Sequence, residues 1–186
     1  MTTAALLLAA GQSRRFGPRD KLLAPLDGRT VIEGAMAPLL GAQVQHRLAV
    51  VSSEAVAVIA STAGFEVVMV PTDMPQSHSL FAGIEHLAKA DAARALIALG
   101  DMPFLQATDI DALLGLAGDD TACTERDGTP LPPAVFPRRI WPALTALSGD
   151  RGAGSLLPNI PAQRRLALPA ARLRDVDLPA DLALPR

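Results

Sequence analysis

The chain has 186 residues, a length typical of one globular domain, and we expect a single domain over residues 1–186. Its 17 basic and 19 acidic residues leave a formal net charge of −2, which excludes a general electrostatic attraction to nucleic acid or to an anionic membrane. Aromatic residues make up only 3% of the chain and Cys123 is its one cysteine, which excludes a stacking surface for single strands and an internal disulfide.

The N-terminal apolar run does not resemble a targeting or membrane segment. No cation precedes residues 4–10, although an export signal needs a positive start. Arg14 and Arg15 resemble a twin-arginine signal, but polar residues follow them where an apolar segment should stand. No apolar run approaches the ~18 residues of a membrane span. We therefore expect a cytoplasmic protein with no membrane attachment.

Short apolar runs alternate with amphipathic stretches along the first two thirds of the chain, which is typical of repeated βα units around a mostly parallel sheet. Thr30 with Glu33 forms a capping-box pattern, and Thr108 is the expected N-cap of the last of these helices. A polar loop over residues 72–79 is expected to precede the third helix. The predicted strands are 4–10, 47–51, 65–70 and 95–99, and the predicted helices are 30–40, 54–63, 80–89 and 109–116.

Beyond Gly118 the pattern becomes irregular. Asp127 and Gly128 mark a turn, and several prolines interrupt any periodicity. A short helix is expected over residues 141–147 and another short strand over 165–168. The sequence thus predicts an α/β fold whose last third forms an irregular C-terminal lobe built onto the sheet.

The first predicted strand ends in a loop that could bind phosphate. Its apolar run breaks at Gly11, where backbone N–H groups can approach an anion closely, and Arg15 and Lys21 follow as full charges. Neither a Walker P-loop nor a Rossmann glycine pattern is present. The alternative from these residues alone is a solvated basic loop.

Two aspartates are candidate metal ligands. Asp101 follows a buried strand directly, where ligands bind in open α/β sheets, and its carboxylate suits Mg²⁺. Asp177, near the end of the chain, could supply a second contact. Taken alone, Asp101 could instead cap a helix and Asp177 could lie in a surface turn.

Histidine and cysteine chemistry is not expected. His46, His78 and His86 lack the spacing of metal ligands, and only His78 lies in a loop close to a candidate residue, Ser79. Cys123 is expected to pack in the core. No Gly-x-Ser-x-Gly nucleophile elbow is present to support hydrolase chemistry.

Six motifs in order resemble those of the MobA-like nucleotidyltransferases, and most closely their molybdenum cofactor cytidylyltransferase branch. The motifs are Leu8-Ala9-Ala10-Gly11-x-Ser13-x-Arg15-Phe16-Gly17 with Lys21, Ser79-Leu80-x-x-Gly83, Leu99-Gly100-Asp101-Met102-Pro103, Pro133-Ala134-Val135-Phe136-Pro137, Leu147-x-Gly149-Asp150-Arg151-Gly152-Ala153 and Asp175-Val176-Asp177-x-Pro179-x-Asp181-Leu182. The resemblance implies one MobA-like NTP transferase domain with a Rossmann-like three-layer fold and a twisted, mostly parallel sheet.

The resemblance also implies a reaction and a set of site residues. The enzyme would use Mg²⁺ or Mn²⁺ to transfer CMP from CTP to the phosphate of molybdopterin and release pyrophosphate, with a molybdenum hydroxylase as the recipient of the product. Arg15, Lys21 and Asp101 would be catalytic, and Asp101 and Asp177 would hold the metal. The nucleotide-binding residues would be Leu8, Ala9, Ala10, Gly11, Gln12, Ser13, Arg15, Lys21, Ser79 and Gly83.

The sequence departs from the family pattern at three places. The spacing from Gly17 to Lys21 is one residue longer than in many relatives, Leu178 stands in place of a common threonine, and Gly154 stands where arginine is frequent. Guanylyl transfer from GTP is the alternative reaction. Against it, Ala10 stands where the guanylyl branch of the family usually has a second glycine. The alternative function that involves no catalysis is that of a cofactor carrier, or of a maturation partner of a molybdenum hydroxylase.

Overall fold

The structure is a computed structural model that describes residues 1–11, 16–17 and 20–183. Its strands are β1 (Thr3–Ala9), β2 (Pro25–Leu26), β3 (Arg29–Thr30), β4 (His46–Val51), β5 (Glu66–Met69), β6 (Arg94–Leu99), β7 (Ala122–Arg126), β8 (Thr129–Pro137) and β9 (Arg165–Ala167). Its α-helices are α1 (Val31–Gly41), α2 (Glu54–Thr62), α3 (Gln76–Leu87), α4 (Ala107–Ala117) and α5 (Trp141–Thr145). Short 3-10 turns cover Lys21–Leu23, Arg138–Ile140, Ala153–Asn159, Ala162–Arg164 and Pro179–Ala183.

The main sheet of the described residues has seven strands in the order β5-β4-β1-β6-β8-β7-β9. β1 pairs in parallel with β4 on one side and with β6 on the other. Among the described strands of this sheet, only β8 runs against its neighbours, since it pairs antiparallel with both β6 and β7. The predicted α/β class with a mostly parallel sheet is confirmed.

Both faces of the sheet are covered, because successive residues of β1 point to opposite sides. Ala5, Leu7 and Ala9 face a core formed with α1, α2 and α4. Ala4 and Leu6 face a second core formed with α3 and α5. The result is three layers, with the central strand buried on both faces as a parallel sheet requires. Within the described ranges, no helix is both long and apolar enough to cross a bilayer.

The N-cap predicted from the sequence is correct for helix α1 and wrong for helix α4. At α1 the Thr30 hydroxyl accepts from the backbone N–H of Glu33, and the Thr30 N–H donates to the Glu33 carboxylate, so the predicted capping box is confirmed. The predicted Thr108 cap of α4 is wrong. That helix begins at Ala107, and the backbone N–H of Gln106 donates to Asp109, which takes the capping role.

Helix α3 begins at Gln76, four residues before its predicted start, so part of the expected polar loop is helical. The N–H of Ser77 donates to the carbonyl of Gly149 at 3.2 Å, a partner outside the helix. This long-range contact supplies an acceptor for an N–H in the first turn of the helix, where no carbonyl within the helix is available. Ser79 therefore lies on the first turns of a helix.

Residues 122–137 were expected in the irregular lobe but form the sheet hairpin of β7 and β8. Their prolines are tolerated because the pairing of β7 with β8 shifts between Cys123 and Thr124. At that shift the buried Thr124 hydroxyl donates to the carbonyls of Leu131 and Pro132, both at 2.9 Å. The irregular part of the lobe is thus confined to the residues after β8.

Candidate active site

A cavity of about 330 Å³ opens at the carboxyl ends of β1 and β6. From β1 the chain builds β4 and β5 on one side and then crosses to β6 on the other, so this is the point where the strand order reverses. Ligands bind in open α/β sheets at such a point. The cavity is lined by Leu8, Ala9, Ala10, Gly11, Lys21, Leu22, Met74, Gln76, Ser79, Leu99, Asp101 and Asp150.

Two glycines fix the segment that carries Asp101. A Cβ on Gly100 would lie 2.9 Å from the Cβ of Ala9, so the absence of a side chain lets the end of β6 lie against the end of β1. A Cβ on Gly34 of α1 would lie 2.7 Å from the Cβ of Pro103. Asp101 is therefore held between two close contacts that only glycine allows.

Lys21 enters the cavity from a 3-10 turn that Asp20 closes by accepting from the N–H of Leu22 at 3.0 Å. Its Nζ lies 2.6 Å from Oδ2 of Asp101 and 3.1 Å from Oδ1 of Asp177. Burial lowers the pKa of the Lys21 ammonium, but the two carboxylates outweigh burial and raise that pKa above its ordinary value. The side chain is a cation at neutral pH.

The two predicted metal ligands meet around that ammonium. The side chains of Asp101 and Asp177 are 22% and 28% exposed, and both reach one positive centre. Oδ1 of Asp101 is buried and has no hydrogen-bond partner among the described residues. Two carboxylates that converge on a shared cation, with Oδ1 of Asp101 available as a further ligand, suit a Mg²⁺ or Mn²⁺ ion.

The described chain supplies only part of a coordination shell. In its described ranges, no group of three or more His, Cys, Asp or Glu residues is arranged to hold a metal. Mg²⁺ is commonly held by one or two carboxylates and completed by substrate phosphates and water. The donor set at Asp101 and Asp177 matches that kind of site.

The predicted phosphate loop lines the cavity as far as it is described. Leu8, Ala9, Ala10 and Gly11 border the cavity beside Lys21. Among the described residues other than its chain neighbour, nothing lies within 4 Å of where a Gly11 Cβ would stand, so this side of the loop leaves room for a ligand. Gln12, Ser13 and Arg15 lie outside the described residues.

The two residues of α3 that were expected to bind the nucleotide lie in different surroundings. Ser79 is almost fully buried and lines the cavity. Gly83, one helical turn further along α3, faces the sheet, where its Cβ would lie 2.5 Å from Leu6 and 3.1 Å from Val50. Gly83 is not among the residues that line the cavity, and its position is that of a packing glycine between helix and sheet.

Met74, Gln76 and Asp150, which were not among the expected site residues, also line this cavity. Gln76 and Asp150, with Leu8 and Leu99, line a neighbouring cavity of about 300 Å³ as well. Asp150 lies in a motif quoted for the resemblance, which was the available signal for it. No local pattern marked Gln76, because its place depends on the early start of α3.

Neither Cys123 nor any of the three histidines is among the described residues that line the cavity. His86, in the last turn of α3, contacts Glu66 of β5 at 2.8 Å. Cys123 is fully buried in the sheet, where burial raises the pKa of its thiol to about 11. A neutral, buried thiol is a poor nucleophile, as the sequence suggested.

Comparisons with known proteins find a matching family and relatives that cover most of this chain. The sequence model described as the MobA-like NTP transferase domain matches residues 5–166. The purine catabolism protein PucB of Bacillus subtilis is 28% identical over 97% of this chain and 94% of its own length. A molybdenum cofactor guanylyltransferase of Cereibacter sphaeroides is 30% identical over 76% of this chain and 69% of its own length. The crystal structure of Rv0371c from Mycobacterium tuberculosis H37Rv has a TM-score of 0.82 and 25% identity over 98% of this chain and 97% of that one.

Proposed function

Because the chain belongs to the MobA-like NTP transferase family and is a nucleotidyltransferase, we propose that it transfers CMP from CTP to the terminal phosphate of a molybdopterin-type cofactor. Pyrophosphate is the other product, and a molybdenum hydroxylase would receive the nucleotide-bearing cofactor. The observation that carries this proposal is the convergence of Lys21, Asp101 and Asp177 beside a glycine loop at the reversal point of the sheet.

The charges in the cavity suit phosphoryl chemistry that needs no protein base. A phosphate monoester has a second pKa near 6, so the attacking oxygen is already an anion at neutral pH. The remaining task is to align that oxygen with the α-phosphorus and to offset crowded negative charge. Lys21 is a buried cation placed to bind phosphate oxygens, and the open backbone at Gly11 can donate to others.

Asp101 and Asp177 would hold a divalent cation in the loaded enzyme. When bound, the ion would supply positive charge to offset the negative charge of the triphosphate and of the pyrophosphate leaving group. Two carboxylates at a site that binds polyanions would repel the substrate unless a cation accompanied them. A role in holding the metal ion explains why both acids face this site. A structure of Rv0371c with manganese, at 23% identity and a TM-score of 0.80, is in keeping with this choice of ion.

The neighbouring cavity is the place we propose for the acceptor. Its walls are largely apolar, with Ile97, Ala134 and Leu157 among them, and they suit the ring system of a pterin. Arg151 also lines it and offers a cation to the anionic groups of the acceptor. Gly154 lies in the same wall, so this chain has no second side-chain cation where relatives often carry arginine. The lining that the two cavities share would let the acceptor phosphate reach the nucleotide.

The choice of CTP rests on two positions in the first cavity. The Ser79 motif resembles the cytidylyl branch, and Ser79 lines the cavity. Ala10, which also lines it, replaces the second glycine that is usual in the guanylyl branch. The similarity to a molybdenum cofactor guanylyltransferase favours GTP instead, so guanylyl transfer is the second candidate.

Thermal unfolding with each nucleoside triphosphate tests this choice. CTP with Mg²⁺ at 100 times its dissociation constant should stabilise the chain by about 2.7 kcal/mol, which corresponds to a rise of about 5–11 °C in the unfolding midpoint. GTP, ATP and UTP at equal concentration should give smaller shifts. A larger shift with GTP would replace the cytidylyl proposal with the guanylyl one, and equal shifts with all four would contradict base selection in this cavity.

Turnover tests the role of Asp101. Pyrophosphate release from CTP and molybdopterin should require Mg²⁺ or Mn²⁺, and Asp101→Ala should reduce kcat by at least ~100-fold. Asp91→Ala removes an exposed carboxylate elsewhere and serves as the control. Undiminished turnover in Asp101→Ala would mean that the metal is held elsewhere.

A further inference from the structure

The segment that carries Asp177 is fixed to the Asp101 loop by packing and by one backbone bond. Leu173 is buried in a small cluster with Met102 and Leu105, the residues that follow Asp101. The N–H of Val176 donates to the carbonyl of Asp101 at 2.8 Å, and the Val176 side chain is fully buried. These contacts place the chain beside Asp101 up to residue 176.

A different residue holds the chain at position 177 itself. Oδ2 of Asp181 accepts from the backbone N–H of Asp177 at 2.9 Å and from that of Leu178 at 2.7 Å. The N–H of Asp181 in turn donates to the carbonyl of Leu178 at 3.0 Å. Residues 177–181 thus form a closed turn whose centre is one carboxylate oxygen.

We propose that Asp181 is a positioning residue, which fixes the backbone of Asp177 so that the Asp177 carboxylate points at the cation position it shares with Asp101. The inference rests on the proposed function, because it assigns Asp177 to the metal. Asp177 lies between the buried Val176 and this turn, so its backbone is held on both sides.

The turn also explains why the chain tolerates leucine at position 178. The Leu178 side chain is 46% exposed, while its backbone N–H makes the bond to Asp181. The two N–H donors lower the pKa of the Asp181 carboxyl, and burial opposes them only in part. A charged acceptor makes stronger bonds to N–H groups than a neutral one. The local bonding therefore depends on Asp181 and on no side chain at 178.

Binding of Mn²⁺, followed by the electron paramagnetic resonance signal of the free ion, tests the proposal on the full chain without nucleotide. Residues that orient metal ligands typically change metal affinity by roughly 10- to 100-fold when they are removed, and we expect that loss for Asp181→Ala. Asp181→Asn keeps an oxygen that can accept both N–H groups, through weaker bonds, and should lose less Mn²⁺ affinity than Asp181→Ala. Asp175→Ala removes an exposed carboxylate from the same segment and should match wild type.

A second measurement separates positioning from a general loss of structure. In Asp181→Ala, raising the Mn²⁺ concentration should restore most of the lost kcat, because the acids are present but poorly placed. Should Asp181→Ala fail to fold, Asp181→Glu takes its place, since it keeps the charge and shifts the carboxylate by one methylene, and weaker Mn²⁺ binding is again expected.

The outcomes separate this inference from the proposed function. Wild-type Mn²⁺ affinity in a folded Asp181→Ala would overturn the inference and leave the metal site standing. Equal losses in Asp181→Asn and Asp181→Ala would overturn it too, because charge alone would then matter. Absence of Mn²⁺ binding by the wild type would overturn the metal site and the inference together.

Discussion

Replacement of Lys21 by methionine is the most direct test of how the three charged groups are arranged. Methionine keeps most of the apolar length of lysine but removes the ammonium that Asp101 and Asp177 share. Asp101 then loses the one side-chain partner that the structure shows for its carboxylate among the described residues. The two carboxylates would lose the ammonium that lies between them.

The expected cost follows from the burial of this group. The Lys21 side chain is only 11% exposed and both of its partners are less than one third exposed, so solvent screens these ion pairs weakly. Hydrogen bonds to charged groups contribute about 1.5–3 kcal/mol. In a protein of this size each kcal/mol moves the unfolding midpoint by about 2–4 °C, so Lys21→Met should lower it by about 3–12 °C in metal-free buffer.

Thermal unfolding in EDTA and in Mn²⁺ provides the assay. In Lys21→Met a bound metal ion would replace the ammonium between the two carboxylates, so Mn²⁺ should raise the midpoint by more than it does in wild type. Activity should not return with the metal, and kcat/KM should fall by about 100-fold or more, because the phosphates lose a cation. Lys89→Met, which changes the chain's other lysine on an exposed surface, is the matched control.

Two results would refute this reasoning. A midpoint equal to that of wild type in EDTA would mean that the ion pairs contribute nothing to stability. An unchanged kcat/KM would mean that Lys21 does not act on the substrate and serves only to separate the two acids.

Three further predictions concern packing and the turn near the C-terminus. Gly83→Ala should destabilise the fold by about 1–3 kcal/mol, since its methyl group would overlap Leu6. Gly115→Ala, at an open helix position, should instead stabilise the fold by about 0.5–1 kcal/mol. Chemical denaturation measures the free energy of unfolding of both variants. Cys123, with its raised thiol pKa of about 11, should react with a disulfide reagent at pH 8 far more slowly in the native than in the unfolded chain. Leu178→Thr should change stability by less than about 0.5 kcal/mol and leave turnover unchanged, and a large gain in turnover would contradict the bonding through Asp181.

The parts of the fold that the sequence predicted correctly are those set by local chemistry. The apolar run of β1 and the capping box at Thr30 depend on residues close together in the chain, and both are present in the structure. The same holds for Asp101, because a carboxylate that directly follows a buried strand must lie at that strand's carboxyl end. Local patterns therefore located one edge of the sheet and an acid on it.

The parts that the sequence missed depend on distant contacts. Strand β8 contains prolines that argue against a central strand, and it is accommodated through a pairing shift and the Thr124 hydroxyl. Helix α3 begins early where a first-turn N–H meets the carbonyl of Gly149, far along the chain. The partners of Lys21 lie 80 and 156 residues away, so no spacing rule could join the three.

Lys21, Asp101 and Asp177 are each positioned by a separate local contact. Asp20 closes the turn that presents Lys21, the close contact at Gly100 seats Asp101, and the carboxylate of Asp181 holds the backbone at Asp177. Because the turn that presents Lys21 is closed by Asp20, the extra residue before Lys21 need not disturb the contacts that position the two acids. The leucine at 178 takes part in the neighbouring turn through its backbone N–H and carbonyl. A change at Gly100 should therefore impair the site as severely as a change at a charged residue, because a side chain there would force the ends of β1 and β6 apart.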